Sequence, residues 1–113
     1  MFQYSEADEA YLAELDGMEF ICEKPSEEWE KQAKSLAACY EERLPELAEF
    51  MLEELDGVYG PLTAEEFIAQ LGKPQFDLDR SCVTYLEHDF DDHILEVEFE
   101  GELEEFLSLT MDG

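Results

Sequence analysis

The sequence predicts a two-layer α+β domain, in which a mainly antiparallel sheet is covered on one face by a long kinked helix and a short helix. Three observations lead to this fold class. An Asp-Gly pair separates two alternating apolar runs near the N-terminus, a helical stripe of apolar residues fills the middle of the chain, and the apolar period changes to two from Gln75 onward. With 113 residues, 45% of them apolar, the chain is expected to form a single domain over residues 1–113.

The first element is an N-terminal β-hairpin. Asp16-Gly17 is the dipeptide that most strongly predicts a two-residue hairpin turn. The residues expected to share the buried face are Tyr11, Ala13 and Leu15 on one strand and Met18, Phe20 and Cys22 on the other. A helix over residues 5–15 is the alternative, since the apolar residues there also fit part of a helical pattern.

A long helix follows, with Ser26 as its N-cap and Glu27 and Glu28 at the positive end of the helix dipole. Its apolar stripe comprises Trp29, Ala33, Leu36, Tyr40, Leu44, Leu47, Met51 and Leu55. The two aromatic residues of this stripe are expected to pack in the core rather than line a ligand pocket. Pro45 predicts a kink, or a restart with Pro45 at the first helical position, and Gly57 ends the segment.

The rest of the chain predicts a short helix and an antiparallel meander. Thr63 and Glu66 have the spacing of a capping box, and Gly72 followed by Pro74 closes the helix that this box opens. The alternating apolar residues of the meander are Phe76 and Leu78, Val83 and Tyr85, Leu95, Val97 and Phe99, and then Leu107, Leu109 and Met111. Turns are expected at residues 79–81, 90–92 and 100–103.

Charge is the strongest functional indication. The chain has 32 Asp and Glu against 6 Lys and Arg, a net charge of −26, and no Lys or Arg follows Arg80. Such a surface repels nucleic acid phosphates and anionic membranes, so neither is expected as a direct partner, whereas a basic protein is. The N-terminus lacks the features of a signal peptide, and the three widely spaced cysteines suggest reduced structural thiols, with a reactive thiol as the alternative. We therefore expect a cytoplasmic protein.

The acidic residues of the last strands form the candidate partner-binding site. If Leu95, Val97 and Phe99 face the helices, the glutamates that alternate with them form a row on the solvent face, about 6.6 Å apart. The full candidate set is Glu96, Glu98, Glu100, Glu102, Glu104 and Glu105. An ordinary solvated strand face is the alternative. Tyr59 lies in a Gly-Pro loop outside the predicted core and is a further candidate for contact with a partner.

Chemistry that needs a metal, a cofactor or a catalytic motif is not indicated. His88 and His93 alternate with carboxylates in residues 88–93, but their spacing matches neither a zinc site nor an EF-hand loop. A polar turn is the simpler interpretation, and a divalent-cation-responsive site is the alternative. There is no phosphate-binding Gly-rich loop, GxSxG or HExxH motif, so we predict a non-enzymatic protein without a cofactor.

Residues 63–113 resemble certain small acidic bacterial proteins of unknown function, some of which are encoded beside toxins and are regarded as immunity proteins. The resemblance rests on Thr63-Ala64-Glu65-Glu66-Phe67, Leu71-Gly72-Lys73-Pro74, His93-Ile94 and the closing Met111-Asp112-Gly113. Asp92 occupies a position where that pattern commonly has glycine. The resemblance implies the α+β fold and an immunity-like inhibitor of a basic partner, and it carries over no catalytic or binding residue.

Overall fold

The structure, a computed structural model, describes residues 1–112, and Gly113, the last residue of the resemblance motif, lies outside the described residues. It confirms the predicted α+β class. The elements are β1 (Gln3–Ser5), β2 (Ala10–Leu15), β3 (Met18–Cys22), α1 (Glu27–Leu55), α2 (Ala64–Gln70), β4 (Pro74–Asp77), β5 (Cys82–Tyr85), β6 (Ile94–Glu100) and β7 (Glu105–Asp112). The seven strands form one sheet in chain order.

Every neighbouring pair in the sheet is antiparallel except β3 and β4. That parallel pair is joined by the two helices, because parallel neighbours need a long crossover connection. The hairpin and the meander predicted from the sequence are thereby joined into one sheet. The sequence did not predict β1, which has three residues and pairs with β2 at one edge.

The residues predicted to share one face of the N-terminal hairpin lie opposite each other. Ala13 pairs with Phe20, Tyr11 with Cys22 and Leu15 with Met18. Asp16 and Gly17 have φ values of 51° and 78°. These two positive angles belong to the turn type that Asp-Gly favours, so the helical alternative for residues 5–15 is wrong.

Helix α1 begins where the sequence predicts. Ser26 Oγ accepts a hydrogen bond from the Trp29 N–H at 3.1 Å, and the helix ends before a left-handed Asp56. Pro45 lies inside the helix, which is continuous, so a restart at this residue is wrong; the kink stays a prediction. In α2, Thr63 and Glu66 form both hydrogen bonds of the predicted capping box.

The core lies between the helices and one face of the sheet. Phe76 is its central aromatic: its ring stacks on Phe20 at 5.1 Å and meets Tyr40 and Phe99 edge to face. Tyr40 is buried and Trp29 packs against the core as a partly buried residue, which confirms the core role predicted for both. The opposite face of the sheet, which no helix covers, is called the open face below.

One predicted face assignment in β7 is wrong. Leu109 and Met111 lie opposite Val97 and Leu95 on the core side, as expected, but Leu107 is 42% exposed. The pairing of β6 with β7 shifts between Glu98 and Phe99, so that Phe106 rather than Leu107 lies opposite Phe99. The extra residue of such a β-bulge breaks the strict alternation that predicts Leu107 on the core side.

Candidate functional site

Glu96 lies on the open face, but it is not a bare carboxylate. Arg80 forms two hydrogen bonds with it, at 3.1 Å to Oε1 and 2.8 Å to Oε2, and Thr84 Oγ1 donates to Oε1 at 3.2 Å. The bond to Glu96 raises the pKa of the Arg80 guanidinium. Arg80, after which the sequence has no Lys or Arg, therefore offsets the charge of the first glutamate of the predicted row.

The next two glutamates of the row lie closer to the turn between β6 and β7. Glu98 lies opposite Cys82 and Ser108, and Glu100 lies opposite Glu105 at the end of the β6–β7 hairpin. Glu98, Glu100 and Glu105 are all exposed, and none of them forms an ion pair within residues 1–112. Directly opposed like charges such as Glu100 and Glu105 are destabilising in a sheet. Charge therefore concentrates toward the turn rather than along the whole strand.

The turn of this hairpin, residues 101–104, is held against α1. Leu103 is completely buried although it belongs to a turn rich in glutamate, and its φ of 61° turns the chain toward the helix. Three consecutive carbonyl oxygens of the turn accept hydrogen bonds from α1: Gly101 O from Gln32 Nε2 at 3.3 Å, Glu102 O from Cys39 Sγ at 3.3 Å, and Leu103 O from Arg43 Nε at 2.9 Å. The turn is thus fixed by one apolar anchor and three polar contacts.

We call residues 98–105 the acidic hairpin. Its five carboxylates are those of Glu98, Glu100, Glu102, Glu104 and Glu105, all of them exposed. The site predicted from the sequence is therefore brought together in part: five of its six glutamates lie on the acidic hairpin, and Glu96 is set apart by its ion pair.

Because the turn packs against α1, residues of this helix also lie beside the acidic hairpin, and the sequence did not indicate them. Burial raises the pKa of the Cys39 thiol most, and the nearby Glu102 and Glu42 carboxylates raise it further. Arg43 pairs with Glu46 at 3.5 Å and lies 5.7 Å from the centre of the Phe106 ring. Leu103, an apolar residue inside an acidic turn, was the one signal from which this docking could have been inferred.

The turn at residues 88–93 is organised by its own hydrogen bonds. His88 Nδ1 accepts the Phe90 N–H at 3.3 Å, so its Nε2 carries the proton and donates to the His93 carbonyl at 2.5 Å. His93 Nδ1 donates to Asp91 Oδ2 at 2.8 Å. Both nitrogens of His88 are thus engaged, and no group of three potential metal ligands occurs among residues 1–112. The polar-turn interpretation agrees with this geometry better than the cation site does.

Tyr59 is part of the same local structure. Its ring stacks on Phe90 at 4.4 Å, and Phe90 in turn stacks on Phe67 at 5.0 Å. Its hydroxyl donates to Asp91 Oδ1 at 3.0 Å. Burial, and then the contact with Asp91, raises the pKa of Tyr59 to about 12. Ring and hydroxyl are both used within the chain, which weakens the case for Tyr59 as a partner contact.

We expect Asp91→Asn to flatten the acid limb of the pH–stability curve. Desolvation raises the pKa of Asp91, but hydrogen bonds from His93 and Tyr59 outweigh it, so the folded pKa lies below the ordinary value. A depressed folded pKa stabilises the fold above the unfolded pKa, and this contribution is lost as the pH falls through the folded pKa. Urea unfolding between about pH 5 and pH 2 measures it. Asp92→Asn is the control, and an equal flattening in that variant would contradict the assignment.

All three cysteines are free thiols, with Cys22 and Cys82 buried and Cys39 partly buried. Burial is the main cause that raises the pKa of each thiol above its ordinary value. Because the thiolate is the nucleophilic form, a raised pKa favours the structural interpretation over the reactive one.

Comparisons with known proteins do not assign this chain to a family. None of the helices formed by residues 1–112 has the length and apolar character needed to cross a membrane. The chain matches no family model, no curated protein and no solved structure. The immunity-like resemblance of residues 63–113 therefore stays a prediction.

Proposed function

We propose that this chain is a non-enzymatic interaction domain that binds a basic protein through the acidic hairpin, as an immunity-type inhibitor of a cationic protein would. The observation that carries the proposal is the docked turn. Five exposed carboxylates within residues 98–105 are held on a backbone that Leu103 and three side chains of α1 hold in place. A preorganised surface binds with less loss of conformational entropy than a mobile one.

The clustering matters more than the total charge. Spread evenly over the accessible surface of 6770 Å², the 32 acids would lie roughly 14 Å apart, which exceeds the Debye length of about 8 Å at physiological salt. Glu100 and Glu105 instead lie in opposed register, where Cβ atoms are about 5 Å apart. Like charges on directly opposed residues repel, and a cationic surface relieves the repulsion on binding. Solubility alone does not require the cluster.

The sign of the charge selects the partner class. A net charge of −26 opposes approach to phosphates and anionic lipid, and it accelerates encounter with a positively charged protein. Such an encounter is screened by salt, so both the association rate and the affinity should fall as ionic strength rises. A cation-responsive domain, the other candidate from the sequence, has no observation in its favour, since His88 and Asp91 are hydrogen bonded within the turn and residues 1–112 contain no group of three potential metal ligands.

Affinity capture from cell lysate at low and high salt tests the proposal. We expect the chain to retain a basic protein at low salt and release it at high salt. The test variant replaces four of the five glutamates of the acidic hairpin with glutamine: Glu98, Glu100, Glu102 and Glu105. The control variant makes the same change at Glu6, Glu9, Glu23 and Glu87, which are exposed and lie outside β6 and β7.

Both variants have the same net charge. A difference in their affinities therefore distinguishes binding at the acidic hairpin from attraction by the charge of the whole protein. Affinity for the captured protein should fall at least about tenfold in the hairpin variant and change little in the control, because exposed charges beyond a Debye length are largely screened. Recovery of no basic protein would count against the proposal. Equal losses in the two variants would leave only the general charge, the alternative in which the acids serve solubility.

A further inference from the structure

Strand β7 forms an exposed edge of the sheet. The order of the strands places β7 at one end and β1 at the other, with eight residues in β7 and three in β1. Along an edge strand, alternate backbone N–H and C=O groups point away from the only neighbour, where another strand can bind them. A short edge such as β1 is protected by its length, whereas β7 is not.

The middle of β7 also lacks the residues that usually protect an edge. Residues 106–111 contain no charged residue and no proline. The bulge at Leu107 disturbs the pairing only near the turn, and from Ser108 to Asp112 the strand runs in regular register with β6. The segment 108–111 is therefore an uncharged stretch in regular register, and its outer edge pairs with no strand of residues 1–112.

Next to this edge the open face carries a negatively charged depression. Its volume is about 320 Å³, and its lining residues are Arg80, Cys82, Glu96, Glu98, Ser108 and Thr110. Ser108 lies opposite Glu98, and Thr110 lies opposite Glu96, so only small side chains separate the edge from the carboxylates of β6. A strand added beside β7 would lie about 10 Å from β6, twice the usual strand spacing. Long basic side chains on that strand would reach across Ser108 to Glu98.

We propose that the basic partner docks as an extended segment that adds a strand to β7 along residues 108–111, with Lys or Arg at alternate positions directed to Glu98. This inference rests on the proposed function and names the form in which the partner binds. Backbone hydrogen bonds hold the added strand, and side chains that alternate toward one face provide selectivity. Arg80 already neutralises Glu96, so Glu98 is the carboxylate of the depression that remains for the partner's charge.

A second copy of this chain fits the edge less well. Two copies paired through β7 would bring together two molecules with a charge of −26 each, and molecules of like charge repel each other on approach. A basic segment reverses the sign of that interaction.

Titration with a designed peptide tests the inference. The probe is an extended peptide of about eight residues in which Lys alternates with Thr and Val. A matched peptide has the same side chains and charge but carries N-methyl groups on alternate backbone nitrogens, which removes the donors on one edge. We expect the first peptide to slow amide hydrogen exchange at alternate residues of 108–111, and the methylated peptide to bind at least about tenfold more weakly. Glu98→Gln should weaken the first peptide severalfold, and Glu6→Gln should not.

The outcomes separate this inference from the proposed function. Equal binding of the two peptides, or changes confined to the turn at residues 101–104 and to α1, would overturn strand addition and leave the acidic hairpin as the binding surface. Protected β7 amides in a peptide-free dimer would overturn it in favour of a second copy. Absence of binding by either peptide at low salt, together with no basic protein captured from lysate, would count against both.

Discussion

We expect Leu103→Ala to lower the free energy of unfolding by about 2–5 kcal/mol, the usual cost of truncating a fully buried leucine. Leu103 is completely buried between the hairpin turn and the core, although its neighbours on both sides are exposed glutamates. The truncation leaves a cavity and removes the apolar anchor of the turn. Urea unfolding measures the change, and an unaltered m-value would show that the unfolded state is not the cause.

Leu107→Ala is the matched control in the same hairpin. Leu107 is 42% exposed because the bulge takes it out of the core-facing series, so its truncation should change stability by no more than about 0.5 kcal/mol. Similar losses in the two variants would show that the hairpin is not anchored as described. Leu103→Ala should also weaken binding of a basic partner, since it loosens the acidic hairpin without changing any carboxylate.

The buried tyrosine pair gives the second large effect. Tyr85 is completely buried and Tyr40 nearly so, and their hydroxyl groups hydrogen bond to each other inside the core. Burial raises the pKa of Tyr40 to about 12 and that of Tyr85 well above its ordinary value, so both phenols stay neutral at physiological pH. Either single change to phenylalanine leaves the other hydroxyl buried without its partner, which should cost about 1–3 kcal/mol.

The double variant Tyr40→Phe with Tyr85→Phe is expected to be more stable than the sum of the single variants predicts. Removal of both hydroxyls leaves no unsatisfied buried group, so the double-mutant cycle should give a coupling free energy of about 1 kcal/mol or more. Tyr4→Phe, at a residue that is 56% exposed, serves as the control and should be near neutral. Additive losses in the cycle would show that the two hydroxyls do not depend on each other.

Most elements of the fold could be predicted because their signals are local. The hairpin depends on Asp16-Gly17, α1 on Ser26 and the apolar stripe behind it, and α2 on the capping box of Thr63 and Glu66. In each case the residues that determine the conformation lie within one turn or one strand of each other. The parallel pairing of β3 with β4 had no such signal, since it joins residues separated by both helices.

In the candidate site, too, local features could be predicted from the sequence, whereas contacts between distant segments could not. Alternation correctly predicted that Leu95, Val97 and Phe99 face the core. It did not reveal that Glu96 is bound by Arg80, because residues sixteen positions apart meet only after β5 and β6 have paired. Nor could it reveal the bulge, since the extra residue is defined by the partner strand rather than by the sequence of β7 itself.

The α+β class, the positions of both helices, the turn of the N-terminal hairpin and the concentration of acidic residues after Arg80 can all be predicted from the amino-acid sequence alone. These properties follow from composition, periodicity and capping, which act over a few neighbouring residues. By contrast, the choice of Glu96 as the ion-paired glutamate, and the place where the other glutamates gather, are set by the folded structure. That outcome depends on contacts between distant segments: Arg80 with Glu96, and Leu103 with the core beneath α1. Such contacts form only when the folded chain brings these segments together, and they make part of the acidic tail a fixed surface.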